Sequence, residues 1–310
     1  FYINNDKDAV LLGEKGTRIT IPANSLLTSD GYEVTDTVKI ELKEVFTKKD
    51  MILAGLTTIS TDGELLESAG MFYLNATENG KELKVREGEK LQVEMPINTL
   101  KNIKHIYAQF GSKKCEHPEK PPIGKVYTVF EYSKSFDENT SKCYRYLFND
   151  NVDKMELFTG EFNPDGNINW KPLETNMTRN NNDTNFYFDI GTFGVFNVDK
   201  IIRIRDNGYK LIAKIDKQLP NGSIYLVFKE MNSIMPVYLN KKNKSKFINL
   251  ERKEAVTLVA LDYIGNVPHL AMKNYIIKRK LFFPFRRNKV KNFEFKQMTS
   301  EELDQALASL

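Results

Sequence analysis

Three histidines, two cysteines and a scatter of carboxylates are the side chains with which this chain could do chemistry. His105, His117 and His269 lie on separate segments. None has the HExxH or His-x-His spacing that brings two imidazoles to one metal. His117 stands two residues from Cys115 in KKCEHPEK, but two ligands fall short of the three or four that a zinc centre takes. Asp50, Asp62, Glu64 and Glu67 could supply the carboxylate pair that glycoside hydrolysis needs. On strand-and-turn sequence they read instead as solvated faces. Asn163-Pro164-Asp165-Gly166-Asn167-Ile168-Asn169 has the oxygens of a calcium loop, yet its glycine comes too early and no bidentate Glu follows, so it reads as a β-turn. A serine nucleophile elbow, a phosphate loop and a dinucleotide fingerprint are missing. No catalytic, cofactor-binding or metal residue is assigned, and the protein is expected to be a non-enzyme working without a cofactor.

Two further features stay open on the sequence alone. Cys115 and Cys143 belong to no CxxC pair or zinc spacing. In an oxidising compartment they would close a loop of about 29 residues, worth roughly 3 kcal/mol on the chain-entropy argument; otherwise they are two unrelated thiols. Trp170, the only tryptophan, offers either a sugar-stacking platform or, as a lone Trp in a sandwich more often does, a core filling.

The elements that must position these residues are strands. Thr17–Ile21 and Thr37–Lys43 alternate apolar and polar, as do KELKV over 81–85 and KLQVEM over 90–95. Period two over such short windows means half-buried strands. Val45 breaks the register, as a bulge or a strand end would. The separators are turn chemistry: Asp30-Gly31, Asp62-Gly63, Asn79-Gly80 and Glu87-Gly88, of which Asn-Gly and Asp-Gly suit the positive φ of hairpins. No helical stretch intervenes, which implies a sandwich or barrel. A hairpin is expected around Asn163–Asn167, with Ile168-Asn169-Trp170 in its second arm. A third strand-rich unit begins near Ile201, with strands at 210–215, 223–228, 247–250 and 255–261, and 274–277 closing it.

The end of the chain has a different character. Lys278, Arg279, Lys280, Arg286, Arg287, Lys289 and Lys291 carry seven positive charges with no acid between them, around Leu281, Phe282, Phe283 and Phe285. They read either as a final strand and linker completing a core, or as a docking element for anionic headgroups or an acidic partner. Thr299 and Glu302 fit a capping box. Leu303, Ala306, Leu307 and Leu310 then share one helical face, on a helix too short to persist without a surface to lie on. Docking through Leu303, Leu307 and Leu310 is therefore expected along with the cations.

Composition bounds the rest. A chain of 310 residues with 41% hydrophobic residues can build more than one core. Its 45 basic against 41 acidic residues give a net charge of +4, which argues against a nucleic-acid partner. No apolar run approaches the ~18 residues of a membrane-spanning helix. The first residue is Phe1 rather than Met. An expectation drawn from that start is a trimmed product with a removed targeting segment and a lipid anchor upstream of Phe1.

Gly16–Leu27, GTRITIPANSLL, resembles the opening of the β-sandwich domain shared by zonula occludens proteins, Unc-type netrin receptors and ankyrins. A closer resemblance is to a family of uncharacterised extracytoplasmic proteins of Bacteroidota, many of them lipoproteins. It is carried by GTRITIPANSLL with VKIELKEVFTKKDMILAGLTTISTDGELLESAGMFYLNATENGKEL, by KMELFTGEFNPDGNINW and by FDIGTFGVFNVDKIIRI. The likeness covers most of residues 10–280. That family often carries a Gly-Trp-Ile-Asn-type motif with a Cys near 193–199; here Val195 and Val198 fill the aromatic and Cys slots. No His-Phe-Ser triplet occurs, so the self-cleavage of some eukaryotic relatives has no support.

Together these readings give an all-β protein of tandem antiparallel β-sandwich domains with a short C-terminal amphipathic helix. The expected division is an N-terminal sandwich over 1–104, an irregular β-rich middle domain over 105–200, an immunoglobulin-like sandwich over 201–284, and a basic linker and helical tail over 285–310. The resemblance implies an extracytoplasmic address, in the periplasm or on the outer-membrane surface. The expected function is a scaffold or surface-associated interaction protein with envelope or outer-membrane partners, and an anionic contact through the basic segment. A carbohydrate- or peptide-binding module is the alternative, and an envelope hydrolase a more distant one.

Overall fold

The computed structural model describes residues 1–97, 104–106, 146–148, 155–162, 167–178, 185–202, 209–215, 219, 222–237, 239, 244–250, 253–278 and 287–310. The chain opens with β1 (Tyr2–Ile3), β2 (Ala9–Leu12), β3 (Arg18–Ile21), β4 (Leu26–Thr28) and β5 (Val38–Val45). After a helix α1 (Lys48–Leu53) come β6 (Leu65–Glu78), β7 (Lys81–Val85) and β8 (Leu91–Pro96). Strands β9 (Lys104–Ile106) and β10 (Tyr146–Phe148) pair with each other. Then follow β11 (Glu156–Phe162), β12 (Ile168–Pro172), β13 (Asn185–Ile190), β14 (Gly194–Ile202), β15 (Tyr209–Lys214), β16 (Ser223–Phe228), β17 (Ile234–Pro236) and β18 (Lys244–Leu250). The described chain finishes with β19 (Ala255–Ile264), β20 (Val267–Ile276), β21 (Arg287–Val290), β22 (Lys296–Gln297) and a helix α2 (Ser300–Ala308). The fold is all-β with a short C-terminal helix, as the alternation implied.

Four sheets stack face to face. Sheet I has the order β13-β8-β3-β2, and sheet II the order β1-β5-β6-β14-β11-β12, with β7 and β4 attached to β6. Their inner faces meet in a first core of alternating residues, Ile19, Ile21, Val93 and Phe188 from sheet I against Ile40, Leu74 and Phe196 from sheet II. Phe72 is its centre, stacked on Phe196 at 5.2 Å and tilted against Phe188 at 6.2 Å. Sheet III, β17-β16-β19-β20-β22, faces sheet IV, β18-β15-β21, across a second core that includes Leu226, Leu258, Leu211 and Ala213. A third apolar layer lies between sheets II and III. There Met71, Phe158 and Trp170 meet Tyr225, Val227 and Val259, with Met51 and Ile52 of α1 and Leu303 and Leu307 of α2.

Three sequence expectations are corrected by this pairing. The boundary near 104 does not hold, because β14 pairs along β6 and β13 along β8. Strands from 155–202 thus complete the first sandwich, since β6 needs a second neighbour to cover its backbone. A helix does intervene: Thr47 and Asp50 form a capping box that starts α1. Burial disfavours the Asp50 carboxylate, but hydrogen bonds from Lys15 and Thr47 outweigh it and hold its pKa below the ordinary value. Finally, of the tail expected over 285–310, the described residues 287–310 do not lie outside the sandwiches. β21 pairs parallel with β15, β22 pairs with β20, and α2 buries Leu303 and Leu307. Buried Asn288 ties the two sheets together, accepting hydrogen bonds from Tyr275 Oη and Lys278 N, each at 3.0 Å.

Candidate functional site

Polar residues that are buried concentrate at the junction of the two sandwiches. The backbone of the segment before β6 hydrogen-bonds to the segment around β17. Thr58 N donates to Ile234 O at 2.9 Å, and Ile234 N donates back to Thr58 Oγ1 at 2.9 Å. Ser68 N donates to Asn232 O at 3.1 Å, while Asn232 Nδ2 donates to Ser68 O at 2.9 Å and to Phe46 O at 3.1 Å. Ser233 Oγ donates to Leu66 O at 2.6 Å. Groups buried here must find partners in protein, and each bond contributes about 0.5–1.5 kcal/mol net. Lys48 of α1 reaches across the same junction. Its Nζ donates to Phe228 O, to Lys229 O at 3.2 Å and to Leu310 O at 3.3 Å, beside an ion pair of Lys49 with Asp304 at 2.7 Å.

At the centre of sheet II a β-bulge collects the carboxylates. Val198 pairs with Gly70 and Asp199 with Ser68, so Ala69 is the extra residue. Gly70 sits at φ +153, and a Cβ there would come 2.1 Å from the Phe46 ring, so only glycine fits. Ser68 Oγ donates to Asn197 Oδ1 at 2.7 Å, and Asn197 Nδ2 donates to Asp199 Oδ2 at 2.5 Å. Asp199 Oδ1 has no hydrogen-bond partner among the described residues. Burial raises the Asp199 pKa well above the ordinary carboxylate value; the neighbouring Ser68 hydroxyl opposes this and the Glu67 charge adds to it. A carboxyl sealed at this depth braces the bulge, and no substrate reaches it: Ser68, Asn197 and Asp199 are all fully buried.

The residues singled out in the sequence do not come together. Asp50 caps α1, Asp62 and Glu64 are exposed, and Glu67 alone departs from a solvated face by being buried at the bulge. Trp170 is core rather than platform: it is fully buried and its Nε1 donates to Thr57 O at 2.5 Å. Leu303 and Leu307 are spent inside the molecule and Leu310 packs against the same layer, so the expected outward docking through them is overturned. Lys278, Lys289 and Lys291 are exposed. Arg279, Lys280, Arg286, His117, Cys115 and Cys143 lie outside the described residues, as does the side chain of Arg287. Among the described residues no group of three or more His, Cys, Asp or Glu could hold a metal, and no helix is long and apolar enough to cross a membrane.

One exposed apolar feature was not anticipated. The β19–β20 hairpin turns through Gly265, at φ +63, with Ile264 opposite Val267. Its neighbours stop short: β16 pairs only as far as Leu261, and β22 only at His269 and Leu270. The tip therefore projects, with Ile264 50% and Val267 38% exposed beside Tyr263. The signal in the sequence was YIGNV, a Gly-Asn turn between apolar residues. No protein-family model, curated protein or solved structure matches this chain.

Proposed function

We propose that this is a non-enzymatic interaction protein of a cell envelope, extracytoplasmic, that holds a rigid double sandwich against an outer-membrane assembly. The observation that carries the reading is the use made of the buried polar groups. Those at the junction are bound to each other across the two sandwiches, so the molecule spends them on rigidity. The projecting β19–β20 tip supplies what such a block needs to engage a partner, an apolar contact at a protruding corner. The extracytoplasmic address, and the lipoprotein character that goes with it, draw on the resemblance of Gly16–Leu83 to the Bacteroidota family. Lys278, Lys289 and Lys291, exposed near the end of the second sandwich, serve a contact with an anionic surface that weakens with salt.

The test is recovery of the tagged protein from its native envelope with identification of what accompanies it. The native chain is expected to retain an envelope protein that Ile264→Asp combined with Val267→Asp releases, at an unchanged melting temperature. Fractionation of the full-length gene product into cytoplasm, or partners indifferent to the tip, would overturn the reading.

A further inference from the structure

Sheet II is split at one end, and the split is a cleft. β6 is longer than either of the strands beside it on this flank. β14 pairs with it up to Gly194 opposite Leu74, then leaves towards sheet I. β7 pairs with it only at Thr77 and Glu78, then leaves to join β4. Between the two, Asn75 and Ala76 have no cross-strand partner on that side. The opening is about 550 Å³, within the range of roughly 300–1,000 Å³ typical of small-ligand sites.

Its lining has two characters. Leu74, Leu83 and Val85 back the cleft from inside the first core, and the half-buried Phe193 is the apolar surface they leave in it. Tyr73, Asn75, Glu82 and Thr192 give the rim hydroxyl, amide and carboxylate groups. Burial first, then the Glu41 and Glu82 charges, raise the Tyr73 pKa, so its hydroxyl stays protonated as a donor. Lys43 lies 5.6 Å from the Tyr73 ring centre and covers one face of it.

From this lining we infer that the cleft binds a short stretch of neutral glycan. A pyranose pairs an apolar C–H face with a fringe of hydroxyls, which suits the half-buried rings of Phe193 and Tyr73 set among rim donors and acceptors. An anion is disfavoured. Of the cations near the cleft, Lys84 donates to Ser29 O at 2.9 Å and Lys43 is drawn to the Tyr73 ring, while Glu82 faces the same space. An added peptide strand is disfavoured too. The unpaired stretch is two residues long, about 7 Å at the rise of a strand, too short to register a ladder. The inference stands apart from the scaffold reading, since the cleft is on the first sandwich and the projecting tip on the second.

The experiment is saturation-transfer difference NMR on the full chain with four neutral trisaccharides: maltotriose, cellotriose, mannotriose and chitotriose. Transfer to the ring protons of at least one is expected. Tyr73→Ala should weaken that binding by roughly tenfold, as loss of an aromatic contact does. Should Tyr73→Ala not fold, Thr192→Arg fills the mouth from an exposed position and should abolish the transfer. No transfer to any of the four sugars, or transfer that Thr192→Arg leaves intact, overturns the inference. So does an alternating Thr-Val hexapeptide that binds in the cleft where the sugars do not.

Discussion

Sheets I and III occupy different places in the stack, and their sequences differ accordingly. Sheet I has one face on the first core and one in water. Its strands alternate, as in β8, where Leu91, Val93 and Met95 are buried between more exposed neighbours. Sheet III is covered on both faces. In β16, Ile224, Leu226 and Phe228 enter the second core while Tyr225 and Val227 enter the junction layer. The strand therefore reads as an unbroken apolar run, as does β19 over Leu258–Leu261. An unbroken run of strand length is thus a mark of what lies on the far side of a sheet, and alternation a mark of water there.

The largest expected effects pit the two kinds of layer against each other. Phe72→Ala and Trp170→Ala each empty a fully buried ring site, at about 3–5 kcal/mol. Phe72 belongs to one sandwich and Trp170 to the junction. Calorimetry of Phe72→Ala should show the first sandwich melting early, whereas Trp170→Ala should loosen the junction and separate two transitions. Identical traces from the two variants would break the comparison.

A smaller effect sharpens the place of α2. Leu307→Ala is expected to cost about 2–3 kcal/mol, the low end for a buried leucine, because α2 covers the layer from outside. Thermal melts check it, and an unchanged melt would mean that α2 is free to dock elsewhere. Below that stands the bulge. Gly70→Ala should destabilise by about 1–3 kcal/mol through the Phe46 ring, more than Gly88→Ala, whose Cβ meets nothing within 4 Å. Chemical denaturation of the two variants gives the ranking.

The smallest effect is a pH dependence. Asp199 has its folded pKa raised above the ordinary 3.8. Its contribution is therefore fully present below that value and is lost as the pH rises through the folded pKa. Asp199→Asn should flatten the fall in melting temperature between acid and neutral pH relative to the native chain, and at neutral pH it should melt no lower. A steeper fall in the variant would contradict a raised Asp199 pKa.

Much of the fold was legible because short strands announce themselves locally. Asn79-Gly80 both take positive φ in the β6–β7 hairpin, as the pair of residue types implied. The capping box of α2 was readable from Thr299 and Glu302, and that of α1 was equally present in Thr47 and Asp50 but lay amid strand signals. What the sequence hid is long-range. Nothing local to Leu74 says that its neighbour is Gly194, and so the first sandwich was cut too short. Nor does a helix show whether its apolar face meets a partner or its own chain. The cleft was illegible for the same reason, since it exists only where two strands leave β6.

The pairing of β6 with β14 also sets an order in time. β6 is the central strand of sheet II, and one of its flanks waits for a strand encoded far downstream, with the β11–β12 hairpin hanging from that strand in turn. Until β14 emerges from the ribosome, β6 presents an open edge with apolar side chains on both of its faces. Such an edge pairs readily with any passing strand. Folding of this protein is therefore expected to be slow relative to its length, limited by one distant closure, and to call on a holding chaperone during that interval.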